Sequence, residues 1–296
     1  MSDHLYDHPR HLVSIGWLAD RPEGVRVLDV TARLDRELVN RSHDACFVDA
    51  HIPGAVHYDV ASAKGVLSDP DADLPWMWPS EDVVNAGLRA AGVRDGDLVV
   101  LTASTPRPGI DSGTMWCTRA WWTLTRMGVP AVILHGGNEA WFAAGGAVES
   151  GPSQSETGTV TVSPRDGGLA DAEDVLAALE AGGSCVVDAL SRDNYEGRDP
   201  GYGPRRGHIT GAENVPYLDL IEAETAAFKP VAEIQRLLGD VLDRERVITY
   251  CGGAIAATVV AFCLDMCGHD DVRVYDGSLM EWSRRDDLPM TDPSSG

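Results

Sequence analysis

Among the six cysteines in these 296 residues, one stands where a thiol can be made reactive. In Val247-Ile-Thr-Tyr-Cys251-Gly-Gly-Ala-Ile-Ala-Ala257 a β-favouring run leads straight into the cysteine. Two glycines follow, and Ala254 to Cys267 reads as an apolar helix. A thiol between a strand end and a helix start meets converging backbone N–H groups and the positive end of the helix dipole. Both favour the thiolate, so the expectation is a lowered pKa. Gly252 and Gly253 let the backbone curl close to the sulfur with no Cβ in the way. The plainer reading of such a residue is a buried small hydrophobe. Cys46, Cys117, Cys185, Cys263 and Cys267 show no paired framework, so reduced thiols are expected rather than disulfides. Cys263 and Cys267, one helical turn apart with His269 beyond, make too sparse a set for a metal site, and none is expected.

The elements around the cysteine occur twice. Val25 to Val30 and Cys185 to Asp188 are compact apolar strands that reach an aspartate. His51-Ile-Pro-Gly-Ala and His208-Ile-Thr-Gly-Ala are matching turns, and Ala131 to Leu134 and Val272 to Tyr275 are strands followed by a glycine turn and a short helix. Helical spacing runs from Glu81 to Ala91, Thr114 to Met127, Asp171 to Leu179 and Val231 to Leu238, and His11 to Ala19 reads as a short helix. Strands alternating with helices predict an α/β architecture with a mostly parallel sheet. Two copies of domain size are not a solenoid. Gly146 to Gly158 is poor in large apolar residues and reads as a linker, so the expected division is a domain over 1–148, a linker over 149–158 and a second domain over 159–296, its first strand at Thr159 to Ser163.

With 44% hydrophobic and 24% charged residues, the composition is that of a globular protein. The net charge of −22 argues against nucleic acid and anionic membrane as partners. No apolar run reaches membrane length and the first residues carry no signal-like segment, so the expected location is cytoplasmic.

The paired His-Ile-x-Gly-Ala turns, Arg119-Ala-Trp-Trp in the first half, Tyr275-Asp-Gly with Glu281-Trp in the second, and a cysteine loop in the second half alone make the chain resemble the tandem-rhodanese family of thiosulfate and mercaptopyruvate sulfurtransferases. The resemblance covers nearly the whole length. It implies two tandem rhodanese-like domains, each a mostly parallel sheet with helices on both faces, the first inactive and the second catalytic. It also implies a ping-pong reaction in which Cys251 takes a sulfane sulfur from a small anionic donor, holds it as a persulfide and hands it to a thiol, cyanide or a protein acceptor. The loop amides of Gly252, Gly253, Ala254, Ile255 and Ala256 would stabilise thiolate and persulfide, and no cofactor or metal is required.

In the first half, Thr102 occupies the strand end that Cys251 occupies in the second, ahead of an expanded loop to Ser112. His51 matches the family's cleft histidine and is a candidate proton relay, or a turn histidine bonded to backbone. Mercaptopyruvate enzymes carry Cys-Gly-Ser-Gly-Val-Thr, and here Gly253 and Ala256 replace the hydroxyl residues. The family's carboxylate-binding arginine falls on Asn194. Arg198, Arg205 or Arg206 could supply that charge, or be solvated surface groups. A phosphatase of related fold would need one more loop residue and a closing arginine, and no basic residue occurs from Gly252 to Met266. The competing role is a persulfide carrier loaded by a partner protein.

Overall fold

The computed structural model describes residues 10–20, 22–105, 113–153, 155–199, 201–225 and 227–295. They form two compact units. Unit 1 comprises Met1–Asp71, Trp78–Asp166 and Glu222–Phe228, and unit 2 comprises Ala72–Met77, Gly167–Ile221 and Lys229–Gly296.

Unit 1 contains β1 (Leu12–Val13), α1 (Ile15–Ala19), β2 (Val25–Asp29), β3 (Val56–His57), α2 (Glu81–Ala90), β4 (Leu98–Thr102), α3 (Gly113–Arg126), β5 (Ala131–Leu134) and α4 (Gly137–Ala143). Its five strands pair in parallel in the order β1-β5-β4-β2-β3. Central strand β4 reads Leu-Val-Val-Leu-Thr and is buried almost throughout, as a strand flanked by parallel neighbours must be. Helix α2 starts where Ser80 accepts the Val83 amide through its hydroxyl, carries Glu81 and Asp82 in its first turn, and buries Val84 and Leu88.

Unit 2 contains β6 (Leu169–Ala170), α5 (Ala172–Glu180), β7 (Ser184–Asp188), α6 (Arg192–Tyr195), β8 (His208–Ile209), β9 (Glu213–Asn214), α7 (Val231–Leu238), β10 (Arg246–Tyr250), α8 (Ala257–Met266), β11 (Val272–Tyr275), α9 (Ser278–Trp282) and β12 (Met290–Thr291). The sheet order is β6-β11-β10-β7-β9, again parallel, with β12 and β8 as a separate antiparallel pair. Position for position this is the unit 1 order, so the repeat read from sequence is a repeat of topology. Helix α5 opens with a capping box between Asp171 and Asp174. Helix α8 is buried from Ala257 to Leu264, which explains its lack of a polar face.

Two expectations change. Thr159 to Ser163 forms no regular strand and does not open the second unit. Thr159 and Val160 donate to the Val93 carbonyl and Ser163 to that of Met127, so this stretch is tied to unit 1 and unit 2 begins at Gly167. The helix expected from His11 is split, because Leu12 and Val13 join β5 as an edge strand before Ser14 caps α1. Most of the expanded loop expected between Thr102 and Ser112 lies outside the described residues. Among the described residues no helix is long and apolar enough to cross a membrane.

Candidate active site

In unit 2 the chain leaves β7 toward β9 on one side of the sheet and leaves β10 toward β11 on the other. The two connections diverge between β7 and β10, and open α/β sheets bind ligands outside the carboxyl ends of strands at such a point. Asp188 ends β7 and Cys251 follows β10, whose last residue Tyr250 is in register with Asp188. Topology therefore places a carboxyl group and a thiol together.

The cysteine loop turns sharply before α8. Ala254 has φ 58, and regular helix begins only at Ala257, three residues later than periodicity suggests. Cys251 is 2% exposed. The N–H groups of Ala257, Gly253 and Ile255 act on its sulfur and favour the thiolate. Of the amides expected there, those of Gly253 and Ile255 do so, that of Ala254 goes to the Ser278 hydroxyl instead, and Ala257 joins from outside the expected set. The lowered pKa is nevertheless overturned: burial outweighs these amides, the charge of Asp188 adds to it, and the thiol is pushed above its ordinary value.

Neither glycine adopts a positive φ, and the room their missing Cβ atoms leave is taken by neighbouring side chains. A Cβ at Gly252 would land in the ring of Tyr202, and one at Gly253 would sit 3.1 Å from Trp76 Cε3 and 3.2 Å from Met280 Sδ. Their missing side chains make room for an aromatic and thioether wall over the loop. Leu279 and Met280 at the start of α9 donate to the carbonyls of Cys251 and Gly252 at 3.0 and 2.9 Å, fixing the loop from the other side.

The repeat identifies the unit 1 counterpart of Cys251. Asp29 pairs with Thr102 as Asp188 pairs with Tyr250, and Val30 donates to the Thr102 carbonyl as Ala189 does to that of Tyr250. Thr102 therefore corresponds to Tyr250. The residue in the place of Cys251 is Ala103, whose carbonyl accepts from Asn138 as that of Cys251 does from Leu279. Ala103 lines a cavity of only about 10 Å³, and beside it the Glu139 carboxylate accepts the Thr105 amide. Unit 1 thus has no thiol at the position of Cys251 and offers a carboxylate to its Thr105 amide.

The same comparison explains Asp188. In unit 1, Asp29 Oδ1 accepts from Thr31 and Oδ2 from the Asn138 amide at 2.8 Å. In unit 2, Asp188 Oδ1 accepts from Leu190, but Leu279 stands where Asn138 would, and Oδ2 has no hydrogen-bond partner. The Tyr250 hydroxyl is near enough to favour the carboxylate without being placed to bond Oδ2. Burial dominates and lifts Asp188 to about 7.

His51 belongs to unit 1. Its ring stacks on Phe47 with centroids 4.0 Å apart, its Nδ1 donates to the Phe47 carbonyl at 2.8 Å, and Nε2 lies 4.0 Å from the Glu149 carboxylate. His208 is held alike in unit 2, stacked on Tyr195 with Nδ1 donating to its carbonyl. Both anchor turns, which is the second of the two readings of His51.

The arginines separate clearly. Arg198 is ion-paired to Asp193 and Glu196 on the surface. Arg205 is no substrate ligand in this arrangement, because its guanidinium donates to the carbonyls of Trp282 (2.7 Å), Ser283 (3.0 Å), Arg285 (2.6 Å) and Leu288 (2.8 Å), clasping the end of α9. Arg206 remains exposed. Replacing Arg205 by Met is expected to lower stability by about 2–3 kcal/mol in a denaturant titration, since these carbonyls lose a charged donor. Parent-like stability with a raised KM for anionic donors would instead return Arg205 to the substrate.

Sequence reading passed over Arg192. With Ser191, Pro216, Tyr217, Leu218 and Asp219 it lines a cavity of about 320 Å³ beyond the carboxyl ends of β7 and β9. Its signal was available: it lies just after the strand-end aspartate, behind the helix-capping Ser191. Among the described residues no group of three or more His, Cys, Asp or Glu side chains is placed to hold a metal ion.

The family profile described as a rhodanese-like domain matches residues 171–285, which span Asp188, the cysteine loop and α9. The 3-mercaptopyruvate sulfurtransferase of Escherichia coli (strain K12) is 31% identical over 290 residues, covering 94% of this chain and 96% of that protein. The chain belongs to the tandem-rhodanese sulfurtransferase family. Another relative, the putative thiosulfate sulfurtransferase SseB of Mycobacterium tuberculosis (strain ATCC 25618 / H37Rv), is 33% identical over 273 residues and covered over 90% of both chains. The crystal structure of SseA from Escherichia coli superposes with a TM-score of 0.76 at 27% identity, over 90% of this chain and 97% of SseA. This sulfurtransferase is therefore matched along nearly all of its own length and of theirs.

Proposed function

We propose that this sulfurtransferase moves a sulfane sulfur from thiosulfate or 3-mercaptopyruvate to a thiol, cyanide or protein acceptor through a persulfide on Cys251, with unit 1 contributing no nucleophile. The observation that carries the reading is the set of amides from Gly253, Ile255 and Ala257 aimed at one sulfur beside the topological switch point. The Cys251 thiolate attacks the outer sulfur of the donor, forming an S–S bond as sulfite or, after protonation, pyruvate leaves with the bonding pair. The acceptor then attacks the terminal sulfur, and the S–S pair returns to Cys251 as thiolate. The loop amides hold negative charge on either sulfur without reorganising.

A buried thiol with a raised pKa is mostly protonated at neutrality, so the thiolate attack is expected to speed up as pH rises. Arg192, at the 320 Å³ cavity, is the cation we assign to the donor's anionic end. The test is incubation with each donor followed by intact-mass measurement. A single added sulfur on the Cys251 peptide, removed by cyanide, supports the reading. Loading only in the presence of a protein donor would overturn it in favour of a carrier.

A further inference from the structure

Ser278 has an uncommon combination of burial, bonding and backbone conformation. It is 0% exposed and its φ is 47, in the left-handed region that favours glycine. Its Oγ accepts the N–H of Cys251 at 3.2 Å and of Ala254 at 3.1 Å, and donates to the Tyr275 carbonyl at 2.8 Å. One donor and two acceptor sites are the whole capacity of a hydroxyl, and all are used.

The repeat supplies an internal control. Asn138 donates to the Ala103 carbonyl as Leu279 donates to that of Cys251, so the residues just before them, Gly137 and Ser278, correspond. Gly137 has φ 61. Where alanine replaces the cysteine, the position is a glycine, which adopts this φ without strain. Where the cysteine is present, the position is a serine held in a conformation its Cβ disfavours. Backbone strain of this kind persists where the surroundings over-determine it, and clusters at functional sites.

The loop's donors are divided between one hydroxyl and one sulfur. Cys251 and Ala254 give their amides to Ser278 Oγ, while Gly253, Ile255 and Ala257 give theirs to the cysteine sulfur. Gly253 and Ile255 flank Ala254, itself at φ 58. Pinning the Ala254 amide holds that residue in its left-handed conformation, which turns the amides on either side toward the sulfur. We infer that Ser278 is a positioning residue for the nucleophile: its hydroxyl holds the cysteine loop in the one conformation that presents neighbouring amides to sulfur. This rests on Cys251 being the reacting thiol and adds the residue that sets its reactivity.

The decisive variant is Ser278→Gly, because glycine suits the φ as it removes the hydroxyl together with the strained Cβ; Ser278→Ala removes only the hydroxyl and keeps the strain. Carboxamidomethylation of the Cys251 peptide by iodoacetamide, followed by mass spectrometry between pH 6 and 10, reads thiolate formation without donor or acceptor. The outcome is therefore independent of whether sulfur transfer is the reaction. Ser278→Gly should melt close to the parent protein, while its alkylation midpoint moves to higher pH by about one unit and its rate at pH 8 falls about tenfold. Ser278→Ala should show the same alkaline shift. A parent-like pH profile in both variants would overturn the inference. Loss of the fold in Ser278→Gly would overturn it too, by showing that the hydroxyl serves the core rather than the nucleophile.

Discussion

Replacing Cys251 by serine is expected to lower sulfur transfer by roughly three orders of magnitude or more and to abolish the added sulfur mass, with the melting temperature nearly unchanged. A hydroxyl is a poor nucleophile at its free pKa and forms no persulfide, while serine is close to the cysteine in shape. No other thiol is positioned to substitute. Cys117 and Cys263 are buried and pushed far above the ordinary range, Cys185 is raised by burial to about 12 and Cys267 to about 11, and burial raises Cys46 as well. Loop amides favour the thiolate of Cys251, whereas burial dominates at each of the others. Initial rates and intact masses of parent and variant decide the matter, and substantial residual turnover would mean that a different thiol reacts.

The second large effect concerns pH. Asp188 titrates near 4 in an unfolded chain and near 7 in the folded protein. Between these values the folded state binds one more proton than the unfolded state. The stabilisation is complete below pH 4, declines as pH rises, and is gone above about 7, a loss of at most about 4 kcal/mol. Asp188→Asn removes this dependence while keeping an oxygen for the Leu190 amide. The variant should therefore match the parent near pH 4 and gain on it up to about pH 7, melting roughly 5–10 °C higher at pH 8. Burial raises Tyr250, Tyr195 and Cys251 as well, away from the range of the measurement. Calorimetry at a series of pH values tests this; a constant gap from pH 5 to 8 would mean that the carboxyl keeps an ordinary pKa.

Much of the site was legible in the sequence because it depends on local order. A β-favouring run, a cysteine, two glycines and an apolar stretch produce β10, the loop and α8 wherever the rest of the chain goes. The paired aspartate-ended strands and His-Ile-x-Gly-Ala turns likewise predict two sheets of one topology. What escaped depends on contacts between segments distant in sequence. Thr102 looks like the partner of Cys251 until the ladder with β2 shows that it corresponds to Tyr250. The amides near Cys251 are local and by themselves lower its pKa, whereas the burial that outweighs them comes from packing. Arg205 resembles a surface charge in sequence, and only the returning chain after α9 supplies its four carbonyls. Ser278 follows Gly277 in a turn that reads as ordinary, and its use appears only when β11 and β10 lie side by side.

The way the chain is shared between the units constrains how it can be divided. Ala72–Met77 is grouped with unit 2 although unit 1 surrounds it in sequence, and Glu222–Phe228 is grouped with unit 1 although unit 2 surrounds it. A fragment beginning at Gly167 would lack Trp76, and with it the indole beside Gly253; a fragment ending at Asp166 would lack Phe228, whose carbonyl meets His135. Neither half is a transplantable module as cut, and a minimal catalytic fragment needs a designed replacement for the missing indole.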